Sequence, residues 1–299
     1  MTRAVLVCFH KYTPYGDKYY EPIYTYFMHK MNKHVGEFDK LYLLDSNWEI
    51  ANNHSFAEII RVNPHTRYYD VYKEVLPQIK EDSVLLMDND MVVYREGIIR
   101  KAFDSVDYIS VHDDKDNRVV DPVVAFHVAS IYDTIGTYQT NKMNGKNKLC
   151  PYFFAVPRNT LMEYRDCEWG PNMPEHETLG KLTEVMLNDG LKPYEFEEDK
   201  SNLLFNESGS YEGSSKDLGY YHIRSGSLPA VLLSWRQFDN PQFQKYIKEQ
   251  PKTEYLRQFA WYWIMGGSIY MDQSLFKDLG VDYASWLIYV EKFRQYHHL

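Results

Sequence analysis

In SVLLMDNDMVVY, residues 83–94, an apolar run ends on two carboxylates, Asp88 and Asp90, with Asn89 between them. Left unpaired at the end of a buried strand, each charge would cost on the order of several kcal/mol. On an extended chain, residues two apart point to the same side. Two hard oxygen donors on one side suit Mg2+ or Mn2+, which keep other positions for water and phosphate oxygens. Such an ion neutralises both aspartates. It can also hold a diphosphate and stabilise the charge that develops as it leaves. The competing structural reading is a strand-end turn closed by Asx hydrogen bonds.

The elements that would position this pair alternate along the first hundred residues. AVLVCF (4–9), KLYLLD (40–45), AEIIRV (57–62) and SVLLMD (83–88) read as strands one to four. Residues 19–35 read as a helix with Pro22 near its first turn and Ile23, Phe27 and Met31 at spacing four. A second helix over 69–79 is shortened by Pro77, GIIRKAFDS is a short helix, and YISVHD (108–113) is a fifth strand. The pattern predicts an α/β fold: a mostly parallel sheet with helices on both faces. In such a sheet ligands bind beyond the carboxyl ends of the strands, where Asp88 and Asp90 lie. Further on, CPYFFAVPRNTLMEY reads as a strand, a Pro turn and a helix start. EHETLGKLTEVMLNDG (175–190) carries a helical stripe that Gly190 closes. Residues 133–148 and the acidic 195–217 read as loops, and LGYYHIRSGS (218–227) returns to strand-like order. The expected division is a 1–227 catalytic domain, with a nucleotide-binding half about 1–113 and an acceptor half about 114–227. A 228–299 helical, aromatic-rich subdomain follows, with helices near 240–249, 253–265 and 283–297.

Strand, DND and MVVY in the fourth strand of an N-terminal α/β sheet resemble the DxD motif of GT-A-fold, nucleotide-sugar-dependent glycosyltransferases. YYHIRSGS and EHETLGKLTEVMLNDG, in the order that family places a metal-binding His and an acceptor-side acidic motif, extend the resemblance over roughly residues 3–227. The resemblance implies His222 as a third metal ligand beside Asp88 and Asp90, and Glu177 or Glu175 as the catalytic acid pair. It puts Phe9, His10 and Tyr12 beside the nucleotide base and Asp45 at the base or ribose. Asn89 belongs to the nucleotide-binding set, Arg67 could contact phosphate, and Arg224 or Lys142 could do so from the other side. The implied activity is metal-dependent transfer of a sugar from a UDP- or GDP-linked donor to a hydroxyl of a glycan, lipid-linked or protein-linked acceptor. Inversion and retention both stay open, because Gly226 falls four residues after His222 and no Lys-Pro-Trp follows. Each residue has a structural alternative: a satisfied core histidine, helix-dipole charge for the glutamates, a turn cap for Asp45 and ion pairs for the arginines.

Composition sets the outer bounds. The chain has 299 residues, 44% of them hydrophobic, enough for a large core. A net charge of −9 argues against a nucleic-acid footprint, which needs a basic face. Cys8, Cys150 and Cys167 suggest neither a disulfide framework nor a metal knuckle. With no secretory leader and no membrane-length apolar run, a cytoplasmic setting is expected. The aromatic C-terminal helices are expected to pack on the catalytic domain or across a homodimer, with acceptor binding or peripheral membrane contact as the lesser alternative. Two other functions remain open. One is a sugar-phosphate nucleotidyltransferase, although HKYTPYGDKYY has a single glycine where such enzymes carry a glycine-rich loop. The other is a non-catalytic carbohydrate-binding or assembly protein.

Overall fold

The computed structural model describes residues 1–9, 17–46, 54–93, 95–112, 126–128, 131–132, 148–149, 153–170, 179–191, 193–195, 214–215, 220–222, 228–250, 252–266 and 273–297. The four expected N-terminal strands form as β1 (Arg3–Phe9), β2 (Lys40–Asp45), β3 (Ala57–Arg61) and β4 (Ser83–Asp88). They pair in parallel in the order β3-β2-β1-β4. Residues Ala4 to Phe9 are all fully buried, as a strand covered on both faces must be. Helix α1 (Asp17–Met31) follows β1, and α2 (Tyr68–Val75) precedes β4; Pro77 ends α2 in a 3-10 turn, Leu76–Gln78.

Immediately past β4 the short strand β5 (Met91–Val93) leaves the main sheet, and α3 (Ile98–His112) follows. The expected fifth strand at 108–113 is corrected here: the segment to His112 continues α3. Buried Ile98, Ile99, Ala102, Phe103 and Val106 repeat at helical spacing, and no Gly or Pro interrupts the run. A short β-branched stretch reads equally well either way, so the helix already under way decides it.

The sheet is completed by β6 (Phe126–Val128), β9 (Phe153–Pro157) and β10 (Pro193–Glu195), while β7 (Ile131–Tyr132) and β8 (Lys148–Leu149) pair separately. Its order is β10-β6-β9-β4-β1-β2-β3, with β9 antiparallel to both β4 and β6. Helices α4 (Arg158–Glu163) and α5 (Gly180–Asn188) follow β9; Gly190, just past α5, adopts φ 87°, the left-handed conformation expected of a C-terminal glycine. Alternate side chains Ala4, Leu6, Cys8, Val84 and Leu86 pack with α2, α5 and Trp169 on one face. On the other face Arg3 lies 5.6 Å over the Phe103 ring of α3. The α/β fold with both sheet faces covered is therefore present.

Three short strands make a second sheet, β11 (Ser214–Ser215), β12 (Tyr220–His222) and β5, all antiparallel. Glu37, in the turn before β2, closes the start of α3: the Gly97 and Arg100 N–H groups donate to its two oxygens at 2.8 and 3.0 Å. Burial raises the Glu37 pKa, but the hydrogen bonds from His34, Gly97 and Arg100 outweigh it and hold the carboxyl below its ordinary value. A depressed carboxylate contributes stability above its unfolded pKa and loses it as pH falls through the folded value. The urea midpoint of the wild type is therefore expected to exceed that of Glu37→Gln at neutral pH, with the gap closing on the acid side of the ordinary glutamate range.

Contacts divide the chain into two units. One holds the sheets with α2–α5; the other holds α1 up to Lys30 and the C-terminal helices. This differs from the linear boundary expected at 227, since α1 joins the helical unit. That unit comprises α6 (Leu228–Gln237), α7 (Pro241–Glu249), α8 (Lys252–Ile264), α9 (Gln273–Asp278) and α10 (Tyr283–His297), close to the helices expected there. The Tyr19 hydroxyl donates to Gln237 at 2.6 Å, and the Tyr262 hydroxyl to the Tyr19 carbonyl at 2.7 Å. Trp261 meets Phe293 edge-on at 5.3 Å, and Phe276 lies 5.6 Å from Trp286. Among the described residues, no helix is long and apolar enough to cross a membrane.

Candidate functional site

The order of the parallel strands reverses at β1: β2 and β3 lie on one side and β4 on the other, and at such a point open α/β sheets form their ligand crevice, beyond the carboxyl ends of the strands. In register, Cys8 stands beside Asp88, and Phe9 beside Asp45. Asp88 ends β4 half-buried, Asn89 makes the turn, and Asp90 is 8% exposed as the chain enters β5. The Asn89 amide donates to the Cys8 carbonyl at 3.2 Å and so ties the turn to the neighbouring strand. Burial and the adjacent Asp88 charge push the Cys8 thiol well above its ordinary pKa. A thiol held protonated in this way is a poor nucleophile.

Tyr68, in the first turn of α2, donates its hydroxyl to Asp88 Oδ1 at 2.5 Å. The side chain of Asp88 shares its sheet face with Leu86, the face α2 covers, so the helix can supply this donor. Edge-on contacts with Tyr69 at 4.7 Å and Tyr72 at 6.0 Å aim the ring. A charge-assisted bond of this kind orients the carboxylate and fixes which lone pairs remain for a cation. Tyr68→Phe is expected to weaken Mn2+ binding by about tenfold, read by titration, and to cost about 1–2 kcal/mol in denaturant unfolding.

The remaining expected site residues divide into placed and unplaced. Phe9 is buried, and its carbonyl accepts from the Ser46 N–H at 3.4 Å and hydroxyl at 3.3 Å. Asp45 is fully buried and ion-paired with Arg61, its register partner on β3. Arg67 is exposed and paired with Asp70 at 2.6 Å, its guanidinium 3.8 Å from where a Cβ on Gly170 would stand. His222 ends β12 directly opposite Met91, one residue from Asp90, so the backbone brings the third expected ligand's strand to the Asp88–Asp90 turn. The His222 side chain, and His10, Tyr12, Glu175, Glu177 and Arg224 altogether, lie outside the described residues, as does Lys142.

Sequence reasoning missed Tyr68, Ser46 and Arg61. A tyrosine 20 residues ahead of Asp88 carries no local signal among 27 tyrosines. Among the described residues no three His, Cys, Asp or Glu side chains gather into a metal-binding group. The two carboxylates nevertheless fit a hard divalent ion. They are close in sequence, Asp90 is buried and Asp88 half-buried, and Asp88 accepts from the Tyr68 hydroxyl.

No protein-family model matches the chain, and no curated protein does. Among solved structures, it is similar to a nucleotidyl transferase from Methanothermobacter thermautotroptrophicus at 12% identity and TM-score 0.42, covering 69% of this chain and 91% of that one. It is similar to CMP:2-keto-3-deoxy-manno-octonic acid synthetase complexed with CTP at 13% identity and TM-score 0.38, covering 66% and 90%. For the bifunctional IspDF of Campylobacter jejuni the values are 13% and 0.40, with 67% of this chain matching half of that one. Two of these are described as a nucleotidyl transferase and a CTP-bound synthetase, and none as a glycosyltransferase. The expected assignment to sugar transfer is corrected accordingly. Its motif reads only a cation and a diphosphate, which nucleotidyl transfer needs equally, so the DND turn never specified which bond breaks.

Proposed function

We propose that the chain is a divalent-metal-dependent nucleotidyltransferase that joins a nucleoside triphosphate to a sugar phosphate. The observation that carries this reading is the Asp88–Asn89–Asp90 turn at the β1/β4 crevice, with Asp88 oriented by Tyr68 and Asn89 anchored to Cys8. A Mg2+ or Mn2+ ion held by Asp88 and Asp90, with His222 beside them, would offset the triphosphate charge and stabilise the departing pyrophosphate. In this reading the phosphate oxygen of the acceptor bonds to the α-phosphorus, and the bond from that phosphorus to the bridging oxygen breaks. Asp88 and Asp90 act by holding charge in place, and Tyr68 by fixing Asp88. Ser46 and Asp45 shape the floor beside β1 where the base would lie. The single glycine between His10 and Tyr20 is the feature this reading must accommodate, because it offers fewer bare backbone N–H groups to phosphate.

The test is a matrix of the four common ribonucleoside triphosphates against a panel of sugar 1-phosphates, with Mg2+ or Mn2+, read as pyrophosphate release. Release that needs nucleotide, acceptor and metal together, and disappears in Asp90→Ala, is the expected result. Nucleotide binding by calorimetry without release for any pair would instead favour a non-catalytic module.

A further inference from the structure

His34 is 1% exposed, in the 3-10 turn Asn32–His34 that follows α1, and Glu37 beside it is 5% exposed. Its Nδ1 lies 2.8 Å from Glu37 Oε1, and its Nε2 lies 3.0 Å from the carbonyl oxygen of Val93. A carbonyl can only accept, so Nε2 carries an N–H, and a second proton sits between Nδ1 and the carboxylate. Glu37 in turn accepts from the first turn of α3 at Gly97 and Arg100. One buried polar chain thus runs from the start of α3, through Glu37 and His34, to the last residue of β5.

Val93 is three residues from Asp90, and β5 is the strand against which β12 sets His222 opposite Met91. Whatever fixes the Val93 carbonyl therefore fixes both the exit of the DND turn and the strand that pairs with it. Stability alone does not explain the pair, because apolar side chains of similar volume commonly serve a core as well as a buried ion pair does. A ring with two aimed N–H groups supplies direction instead. We propose that His34, held by Glu37, is a positioning residue for the metal-binding turn. It pins β5 through the Val93 carbonyl, so that Asp90 meets the ion in register with Asp88. This rests on the reading of Asp88 and Asp90 as metal ligands.

Two substitutions separate the ring's two bonds. The amide nitrogen of His34→Gln falls where Nε2 lies and can still donate to Val93; that of His34→Asn falls where Nδ1 lies and reaches only Glu37. Mn2+ affinity of the full chain is measured by titrating free ion, and thermal melting is followed in parallel without metal. The expected result is that His34→Asn raises the Mn2+ Kd about tenfold while His34→Gln stays near the wild type, with similar melting temperatures for both. Glu37→Gln, whose carbonyl still accepts from the ring, should also stay near the wild type; should His34→Asn not fold, a His34→Gln variant that loses Mn2+ affinity despite its donor to Val93 overturns the proposal. Equal Mn2+ affinity in His34→Asn and His34→Gln, with only the melting temperatures lowered, overturns the proposal. So does a Glu37→Gln variant as impaired as the loss of a ligand. Wild type that binds Mn2+, with Asp90→Ala unable to, separates that failure from failure of the metal site. Wild type that takes up no Mn2+ overturns both.

Discussion

Asp90→Ala is expected to lose Mn2+ binding and to lower turnover about a thousandfold, equivalent to about 4 kcal/mol of transition-state stabilisation. Asp90 is 8% exposed, so its charge is already largely stripped of water before an ion arrives. A carboxylate in that position attracts a cation more strongly than a solvated one, and a methyl group leaves Asp88 as the one carboxylate of the pair. Stability should report the same loss. Saturating Mn2+ at about a hundred times Kd adds about 2.7 kcal/mol to the wild type by mass action, and nothing to the variant. Asp88→Asn tests the pair from the other side. It keeps a carbonyl oxygen for the Tyr68 hydroxyl at the same position but halves the charge offered to the ion, so its Mn2+ affinity should fall between wild type and Asp90→Ala. A wild-type melting temperature indifferent to Mn2+ and Mg2+ would exclude the site.

Local pattern carried the strands at the crevice, and nonlocal geometry carried what surrounds them. β2 and β4 form over the expected residues because each is a short apolar run closed by an acid, a pattern complete within six residues. The acid that ends β4 opens the DND turn, so the position of that turn was legible too. The segment 108–112 was not, because its β-branched residues suit either state and only continuity with Ile98–Val106 decides. The antiparallel course of β9 depends on which edge of β4 it meets, 70 positions away along the chain, between Ser83 and Phe153. Tyr68 and His34 escaped for the same reason. Each acts across the fold, on Asp88 and on the Val93 carbonyl, and nothing beside either residue names its target. Which chemistry follows phosphate binding was not legible at all, since a cation site is common to several transfers.

Trp169→Ala should show the opposite profile to Asp90→Ala: about 3–5 kcal/mol of lost stability, with Mn2+ affinity preserved in the protein that remains folded. Trp169 is 1% exposed and packs into the sheet face shared by α2 and α5. Its indole N–H donates to the Tyr164 carbonyl at 3.1 Å, and its own carbonyl accepts from Leu179 at 2.8 Å. Leu179 sits at φ 58°, a left-handed conformation that disfavours a branched side chain, and its backbone bond to Trp169 helps hold it there. Truncating the indole opens a cavity, leaves the Tyr164 carbonyl without that donor and loosens the start of α5 at once. The proposed metal site has its own supports: Tyr68 is aimed by Tyr69 and Tyr72, and the turn is tied to Cys8 by Asn89. Urea unfolding and Mn2+ titration on the same preparations give both numbers. If Trp169→Ala instead weakens Mn2+ binding as much as Tyr68→Phe does, the core beneath α2, rather than the tyrosine hydroxyl alone, sets the orientation of Asp88.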